Sequence, residues 1–208
     1  LPLRDDDITL CGQPVSHLEH ADDVLIMSTT PEGLQAHLEG LAAWAALSFV
    51  RVNTSKTWAY LAGVPHGEPF VFLNGDHVTF KECATYVGMT LGGGDRRLFR
   101  AHYTEQAKKA RRTAAVCFAV EGLTGALPID IARKVYKARV ESHLISGADV
   151  SPDATDEPVN ELETQQVYFL RRLLGLGTRS MLTPLYSETD ILPIRYRRAD
   201  IALRYLEY

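Results

Sequence analysis

Three consecutive glycines, Gly92-Gly93-Gly94, divide this chain into two parts with different hydrophobic patterns. Before them, short β-branched and aromatic runs alternate with turn residues, as in β-hairpins. After them, apolar residues recur at the spacing of amphipathic helices. A glycine run interrupts regular structure and suits a domain boundary. The pattern predicts an α+β protein, with a strand-rich domain at residues 1–94 and a helical domain at residues 95–208.

The strand-rich part predicts a series of short strands joined by tight turns. Asn74-Gly75-Asp76 lies between two apolar runs and is a typical hairpin turn. Gly12-Gln13 can turn between two others. We expect these strands to form an antiparallel sheet. The predicted strands are residues 8–11, 14–20, 24–28, 49–52, 57–61, 70–73, 77–80 and 85–91.

One helix is predicted within this part. Thr30 can cap it, Pro31 suits the first helical position, and Glu32 places an acid in the first turn. Its apolar residues recur on one face as far as Leu47, so we expect the helix to pack on the sheet. The residues of that face are Leu34, Leu38, Leu41, Ala42 and Ala45.

The part after the glycines predicts an all-helical domain. Polar residues 146–157, which include Gly147 and Pro152, predict an exposed loop between two of its helices. The helical patterns cover residues 95–121, 128–145, 157–174 and 190–208.

The net charge of -4 conceals an uneven distribution of charge along the chain. Residues 96–139 hold 11 of the 22 Lys and Arg residues but only 3 of the 26 Asp and Glu residues. Such a basic stripe suits a phosphate backbone, because neutralising phosphates releases counterions. A solvated helix face is the alternative explanation for clustered Lys and Arg residues.

Two adjacent carboxylates, Asp22 and Asp23, fall between two predicted strands. Asp is a poor strand former, so the pair is expected at a hairpin turn. Carboxylates on a tight turn suit Mg²⁺, which takes hard oxygen ligands together with waters and substrate phosphates. The alternative is a solvated turn, since turns are rich in Asp for conformational reasons alone.

The residues around this pair resemble, in order, three motifs of reverse transcriptases from non-LTR retrotransposons, especially fungal ones. Residues 17–28, with Ala21-Asp22-Asp23 within them, resemble motif C. Residues 31–35, the helix that follows and residues 52–57 resemble motif D and its closing lysine segment. Residues 80–91, in which a tyrosine is followed by a glycine, resemble motif E.

The resemblance continues beyond the glycine run and covers nearly the whole chain. The helices around Lys108 to Arg112 are similar to the thumb, and residues 193–198 are similar to the downstream helical region of these elements. The resemblance implies an antiparallel palm sheet with a packed helix, followed by a helical thumb-like domain. The implied activity is that of an RNA-directed DNA polymerase, a nucleotidyltransferase that extends a primer on an RNA template with two metal ions.

The resemblance assigns roles to individual residues. Asp22 and Asp23 would be the metal carboxylates for Mg²⁺ or Mn²⁺, and Lys56 would lie near the phosphates of the incoming deoxynucleoside triphosphate. Tyr86 and Gly88 would form the hairpin that grips the DNA primer. A surface lysine and a buried strand tyrosine are the ordinary alternatives for Lys56 and Tyr86. The cations expected to follow the template–primer backbone are Arg96, Arg97, Lys108, Lys109, Arg111 and Arg112.

The sequence departs from the family pattern in two ways. His20 replaces the usual aromatic residue before the Ala-Asp-Asp turn. The aspartate of motif A and the glycine of motif B, which precede motif C in the family, have no equivalent in these residues. The start at Leu1, without Met or a leader pattern, predicts a piece of a longer protein. The resemblance implies that the missing part is an N-terminal fingers and palm segment. We therefore expect the isolated chain to be inactive, because positioning and electrostatic stabilisation need the complete site.

Two other functions stay open at this point. The chain could be a catalytically dead retroelement remnant that acts as a nucleic-acid-binding or interaction module, or a metal-dependent nuclease using the same Asp pair. No apolar run approaches the ~20 residues that span a bilayer, so no membrane partner is expected. Three cysteines without paired spacing predict an intracellular protein, and the resemblance implies that it acts in the nucleus.

Overall fold

The computed structural model describes residues 1–62, 67, 69–92, 98–151, 153 and 155–207. The chain is an α+β protein that divides into two compact units, Leu1–Leu98 and Phe99–Tyr208. The glycine run predicted this division after residue 94. Gly93 and Gly94 themselves lie outside the described residues.

The first unit contains short strands that pair two by two. Four pairs are antiparallel hairpins, and the fifth, between Trp58–Ala59 and Thr79–Phe80, is parallel. The described residues therefore contain five separate ladders where the sequence predicted one antiparallel sheet. The strands are β1 (Ile8–Leu10), β2 (Gln13–Val15), β3 (His17–His20), β4 (Asp23–Ile26), β5 (Trp58–Ala59), β6 (Phe72–Leu73), β7 (Asp76–His77), β8 (Thr79–Phe80), β9 (Cys83–Tyr86) and β10 (Met89–Gly92).

Backbone conformation explains where the strand predictions were right and wrong. Asn74-Gly75 turns between β6 and β7 with both residues at positive φ, so the predicted hairpin is confirmed. Val87-Gly88 turns in the same way, which makes residues 85–91 part of a hairpin instead of one strand. The first turn uses Cys11-Gly12 rather than Gly12-Gln13. The strand predicted at residues 49–52 is wrong, because Phe49 has a φ of 55° that ends any extended run.

The predicted helix of this unit, α1 (Pro31–Leu47), is confirmed together with its cap. The Thr30 side chain accepts a hydrogen bond from the backbone N–H of Gly33 at 3.0 Å. Leu38 lies in a small core with three apolar residues of the strand region, so the helix packs on its strands as expected. Those partners are Val71, Leu73 and Val78.

The second unit is helical. Its helices surround a core that includes Phe118, Tyr136, Phe169 and Leu170. The helices are α2 (Arg100–Ala119), α3 (Glu121–Thr124), α4 (Ile129–Val135), a π-helical segment (Tyr136–Val140), α5 (Glu141–Leu144), α6 (Asp156–Leu173), α7 (Thr183–Thr189) and α8 (Ile194–Leu206).

Two expectations for this unit are corrected. The helix predicted at residues 128–145 contains the π-helical segment. The spacing of its apolar residues did not predict this segment. The loop between α5 and α6 is only partly exposed, because Ser151 is 1% exposed and Ala148 is also buried, whereas Val150 is 49% exposed. Hydrogen bonds from buried side chains hold part of this polar loop against the helices of the unit. No described helix is long and apolar enough to cross a membrane.

Candidate functional site

The hairpin β3–β4 presents the two candidate metal carboxylates. His20 pairs with Asp23 at the end of the ladder, and Ala21-Asp22 form the two-residue turn. Ala21 has a φ of 54°, a conformation that costs energy for any residue with a Cβ atom. Asp22 and Asp23 are both exposed. The expected location of the pair at a hairpin turn is confirmed, and strained turns of this kind are common at functional sites.

The two carboxylates supply oxygen donors of the type that Mg²⁺ prefers, but they are only part of a ligand set. Among the residues that the structure describes, no group of three or more His, Cys, Asp or Glu residues could hold a metal ion. The two carboxylates are therefore suitable ligands for Mg²⁺, but they do not make a complete ligand set. The remaining ligands would have to be waters, a substrate or residues beyond those described.

Lys56 lies in a separate turn that the Asn53 side chain organises. The Asn53 carboxamide oxygen accepts hydrogen bonds from the hydroxyl of Ser55 at 2.7 Å and from the backbone N–H of Lys56 at 3.2 Å. The Lys56 side chain is exposed. Within the described part of the chain, no hydrogen bond or ion pair joins Lys56 to the carboxylates of the β3–β4 turn.

The second hairpin of interest, β9–β10, carries Tyr86 and Gly88 around its turn. Tyr86 pairs with Met89 and is half-buried, whereas Gly88 is exposed with a φ of 80°. Between them, Val87 has a φ of 46° and is 51% exposed. A β-branched residue in this region is strained, so the hairpin tip combines backbone strain with an exposed apolar side chain.

Four of the predicted cations lie on one exposed side of α2. The opposite side of the helix is buried against the core of the second unit, which leaves the cations facing outward. Arg96 and Arg97 lie outside the described residues. The four exposed cations are Lys108, Lys109, Arg111 and Arg112.

These four cations differ in their surroundings. Lys109 pairs with Glu105 one turn earlier, at 3.3 Å. The Arg111 guanidinium lies over the ring of Tyr168, 3.1 Å from its centre. Lys108 and Arg112 have no ion-pair partner among the residues that the structure describes. These two side chains therefore carry positive charge that is available to an anionic ligand.

An open groove of about 640 Å³ separates this side of α2 from α6. Lys108, Arg111 and Arg112 line its α2 wall, and Thr164 and Gln165 line its α6 wall. The α6 contribution was missed by the sequence analysis, because a polar residue on a helix carries no sign of which neighbour it faces.

A buried polar network, also missed, anchors α8. Arg198 is 2% exposed and binds Asp153, the Tyr103 hydroxyl and the backbone carbonyls of Leu144 and Ser146. Burial and the hydrogen bond to Asp153 raise the pKa of the Tyr103 hydroxyl. One sequence signal could have located this network. Arg198 follows the buried Ile194 by one helical turn and so lies on the apolar face of α8.

A second missed cluster fixes the N-terminal segment to α1. The Asp6 carboxylate accepts a hydrogen bond from the Thr30 hydroxyl at 2.6 Å, and Asp7 bonds the Nε2 of the fully buried His37 at 2.6 Å. Both carboxylates are used in local structure.

The chain was also compared with known proteins. No protein-family model, curated protein or solved structure matches it.

Proposed function

We propose that this chain is the C-terminal palm and thumb part of an RNA-directed DNA polymerase of the non-LTR retrotransposon type. One observation carries the proposal. The Asp22-Asp23 pair lies at the turn of one hairpin, Tyr86 and Gly88 frame the turn of a later hairpin, and a helical unit with a basic helix follows. This is the order of carboxylate turn, primer-gripping hairpin and thumb in the family that the sequence resembles.

The open edges of the β3–β4 hairpin also support the proposal. Among the described residues, neither strand pairs with a third strand. Leu18 and Val24 on this hairpin are 43% and 42% exposed. An isolated two-stranded hairpin is marginally stable in water, and a third strand or a packed face is what stabilises it. We infer that further palm strands, carrying the motif A aspartate, complete this hairpin in the intact polymerase.

Each residue then has a defined task. Asp22 and Asp23 would hold Mg²⁺ or Mn²⁺, which when bound activates the primer hydroxyl and stabilises the leaving pyrophosphate. Lys56 would attract the phosphates of the incoming deoxynucleoside triphosphate. The β9–β10 hairpin would position the primer end, and the cations of α2 would follow the backbone of the RNA template and DNA primer. The same assignment implies action in the nucleus.

The cations of α2 give a direct test. The affinity of the chain for an RNA–DNA primer–template is measured at several salt concentrations. The double variant Lys108→Glu with Arg112→Glu should weaken binding and reduce the salt slope by about one for each lost phosphate contact. The control is Lys134→Glu with Arg204→Glu, which makes the same change in net charge at exposed positions away from the groove.

Binding, nucleotide incorporation and duplex cleavage together distinguish the two open alternatives from the proposed function. Equal weakening by both double variants would show only non-specific attraction and would contradict a thumb role for α2. Binding that depends on Lys108 and Arg112, but never leads to nucleotide incorporation when the upstream palm is supplied, would favour the catalytically dead module. Divalent-ion-dependent cleavage of a labelled duplex, lost in Asp22→Asn, would favour the nuclease.

A further inference from the structure

Helix α8 presents large apolar side chains on the side that faces away from the core of its unit. Ile194 and Arg198, on one side of this 13-residue helix, are buried. On the other side, Tyr196 and Leu203 are each 63% exposed, and Leu206 is 79% exposed. Exposed apolar surface that is contiguous in this way marks interaction sites in folded proteins.

The spacing of these exposed residues is that of helices that pack side by side. Together with the exposed Ala199, they follow one another at steps of three, four and three residues. This is the spacing of the a and d positions in paired helices, where one stripe of apolar side chains faces the partner. We call this stripe the α8 seam, and its members are Tyr196, Ala199, Leu203 and Leu206.

A groove of about 480 Å³ borders the α8 seam. Ala199 and Ala202 of α8 line it, together with Val159 of α6 and Ala148 of the loop between α5 and α6. Small side chains opposite large ones let two packed elements interdigitate. The alanines therefore leave room beside the seam for large side chains from a second helix.

The α8 seam is complementary to a reversed copy of itself. In an antiparallel pair of helices centred beside Ile201, Leu203 of each copy lies over Ala199 of the other, so a large side chain meets a small one. In the same register, Tyr196 of each copy lies beside Leu206 of the other. Both copies then use the same patch, which is the condition for a two-fold symmetric interface.

Charge at one edge of the seam favours the same antiparallel arrangement. Arg197 lies near the start of α8 and Glu207 follows its last residue, and the helical period places both on the same side of the seam. Between them, Arg204 and Asp200 pair with each other at 3.1 Å. Within the described part of the chain, Glu207 has no ion-pair partner. Reversing one helix brings Arg197 of each copy opposite Glu207 of the other, whereas a parallel pair would oppose like charges.

We propose that α8 forms the interface of a two-fold symmetric homodimer, in which the α8 seams of two copies pack antiparallel. A second copy of this chain supplies the reversed apolar seam and the opposite charges at its edge together. The inference goes beyond the proposed function and does not depend on it. A pair of short helices buries little surface, so the dimer is weak and its population depends on protein concentration.

Sedimentation velocity of the chain over about 1–300 µM measures this association. We expect the mass to rise from that of one chain to that of two. Leu203→Asp should raise the dissociation constant at least about 10-fold, because it places a charge at the centre of the interface. Leu123→Asp, at a leucine of α3 that is 89% exposed, is the matched control and should leave the constant unchanged. Both variants should keep the helical circular dichroism signal, since both leucines are exposed.

A charge reversal tests the antiparallel register. Arg197→Glu places two acids opposite each other and should raise the dissociation constant about 3- to 10-fold. Adding Glu207→Arg to the same chain should restore it. The two positions are ten residues apart, about 15 Å along the helix, so the restoration can come only from contact between two copies.

Three results would overturn the inference. The first is the mass of a single chain at every concentration. The second is a dimer that Leu203→Asp leaves as stable as the control does. The third is a dimer that Arg197→Glu weakens and Glu207→Arg fails to restore.

Discussion

Arg198 and Asp153 form a two-pronged ion pair that ties helix α8 to the loop before α6. The Arg198 Nε atom lies 2.9 Å from Oδ2 of Asp153, and Nη2 lies 3.0 Å from Oδ1. The guanidinium also donates to the backbone carbonyl of Leu144 at 2.8 Å. A guanidinium that is 2% exposed needs all of these partners, because an unpaired buried charge is strongly unfavourable.

The first prediction concerns this pair. Arg198→Met should lower the free energy of unfolding by about 3 kcal/mol, since it removes the guanidinium that pairs with the Asp153 carboxylate and donates to the backbone carbonyls of Leu144 and Ser146. Urea unfolding followed by circular dichroism measures the change. Arg204→Met is the matched control on the same helix, because Arg204 is 69% exposed and forms only a surface pair with Asp200. Equal losses in the two variants would show that the buried pair has no special role in stability.

The second prediction uses two glycines of α1. A Cβ atom on Gly33 would lie 1.8 Å from the Asp6 carboxylate and 2.4 Å from the Ser28 hydroxyl, so Gly33→Ala should lower the free energy of unfolding by about 1–3 kcal/mol. A Cβ atom on Gly40 would meet only Leu1, at 3.4 Å. Gly40→Ala should therefore raise stability by about 0.5–1 kcal/mol through helix propensity. Thermal unfolding of both variants tests the prediction, and a stabilising Gly33→Ala would contradict the close approach of Asp6.

The third prediction concerns the tip of the β9–β10 hairpin. Val87 adopts the left-handed region, which Asn tolerates and a β-branched residue does not. Val87→Asn should therefore raise the free energy of unfolding by about 1 kcal/mol. Thr85→Asn, at an exposed strand position of the same hairpin, should lower it. If Val87 is kept for contact with the primer, the stabilised variant should bind primer–template more weakly, whereas tighter binding would argue against that role.

The fourth prediction concerns pH. Burial opposes ionisation of Asp7, but hydrogen bonds from the backbone N–H of Arg4 and from His37 outweigh it and lower the pKa of Asp7 below its ordinary value of 3.8. A lowered carboxylate pKa means that the ionised form stabilises the fold above the ordinary value. That stabilisation is lost as the pH falls through the pKa of the folded protein.

The measurement is the melting temperature at about pH 5 and about pH 2.5. The unsubstituted chain should lose more stability between these values than Asp7→Asn, which has no ionised Asp7 to lose. Asp5→Asn, an exposed neighbour, should behave like the unsubstituted chain. Identical acid sensitivity in all three proteins would contradict a stabilising role for ionised Asp7.

Local chemistry explains which parts of the fold could be predicted. The bounds and cap of α1 follow from neighbouring residues, because Thr30 and Pro31 act within one helical turn of the helix start. The Asn74-Gly75 turn follows from its own dipeptide. The failures involve contacts between distant positions. Ser151 is buried although its loop is polar, because Tyr103 bonds to it and Arg198 bonds to Asp153 in the same loop, both from far away in the sequence.

The candidate site divides in the same way. The turn location of Asp22 and Asp23 was predictable from the poor strand propensity of Asp. The outward side of α2 follows from the helical period, which separates its cations from its buried residues. The contribution of Gln165 to the groove between α2 and α6 was not predictable. Packing determines which residues of two helices face each other, and neither sequence pattern alone shows it.

Primer extension tests the central claim most directly. The chain is mixed with an upstream palm segment of a non-LTR reverse transcriptase that carries motifs A and B, and co-purification establishes that the two parts associate. We predict Mg²⁺-dependent incorporation of deoxynucleotides on an RNA template by the associated pair, by neither part alone, and lost in Asp22→Asn and in Asp23→Asn. Incorporation that survives both substitutions together, or an associated pair that incorporates nothing, would contradict the assignment of these carboxylates to a polymerase site.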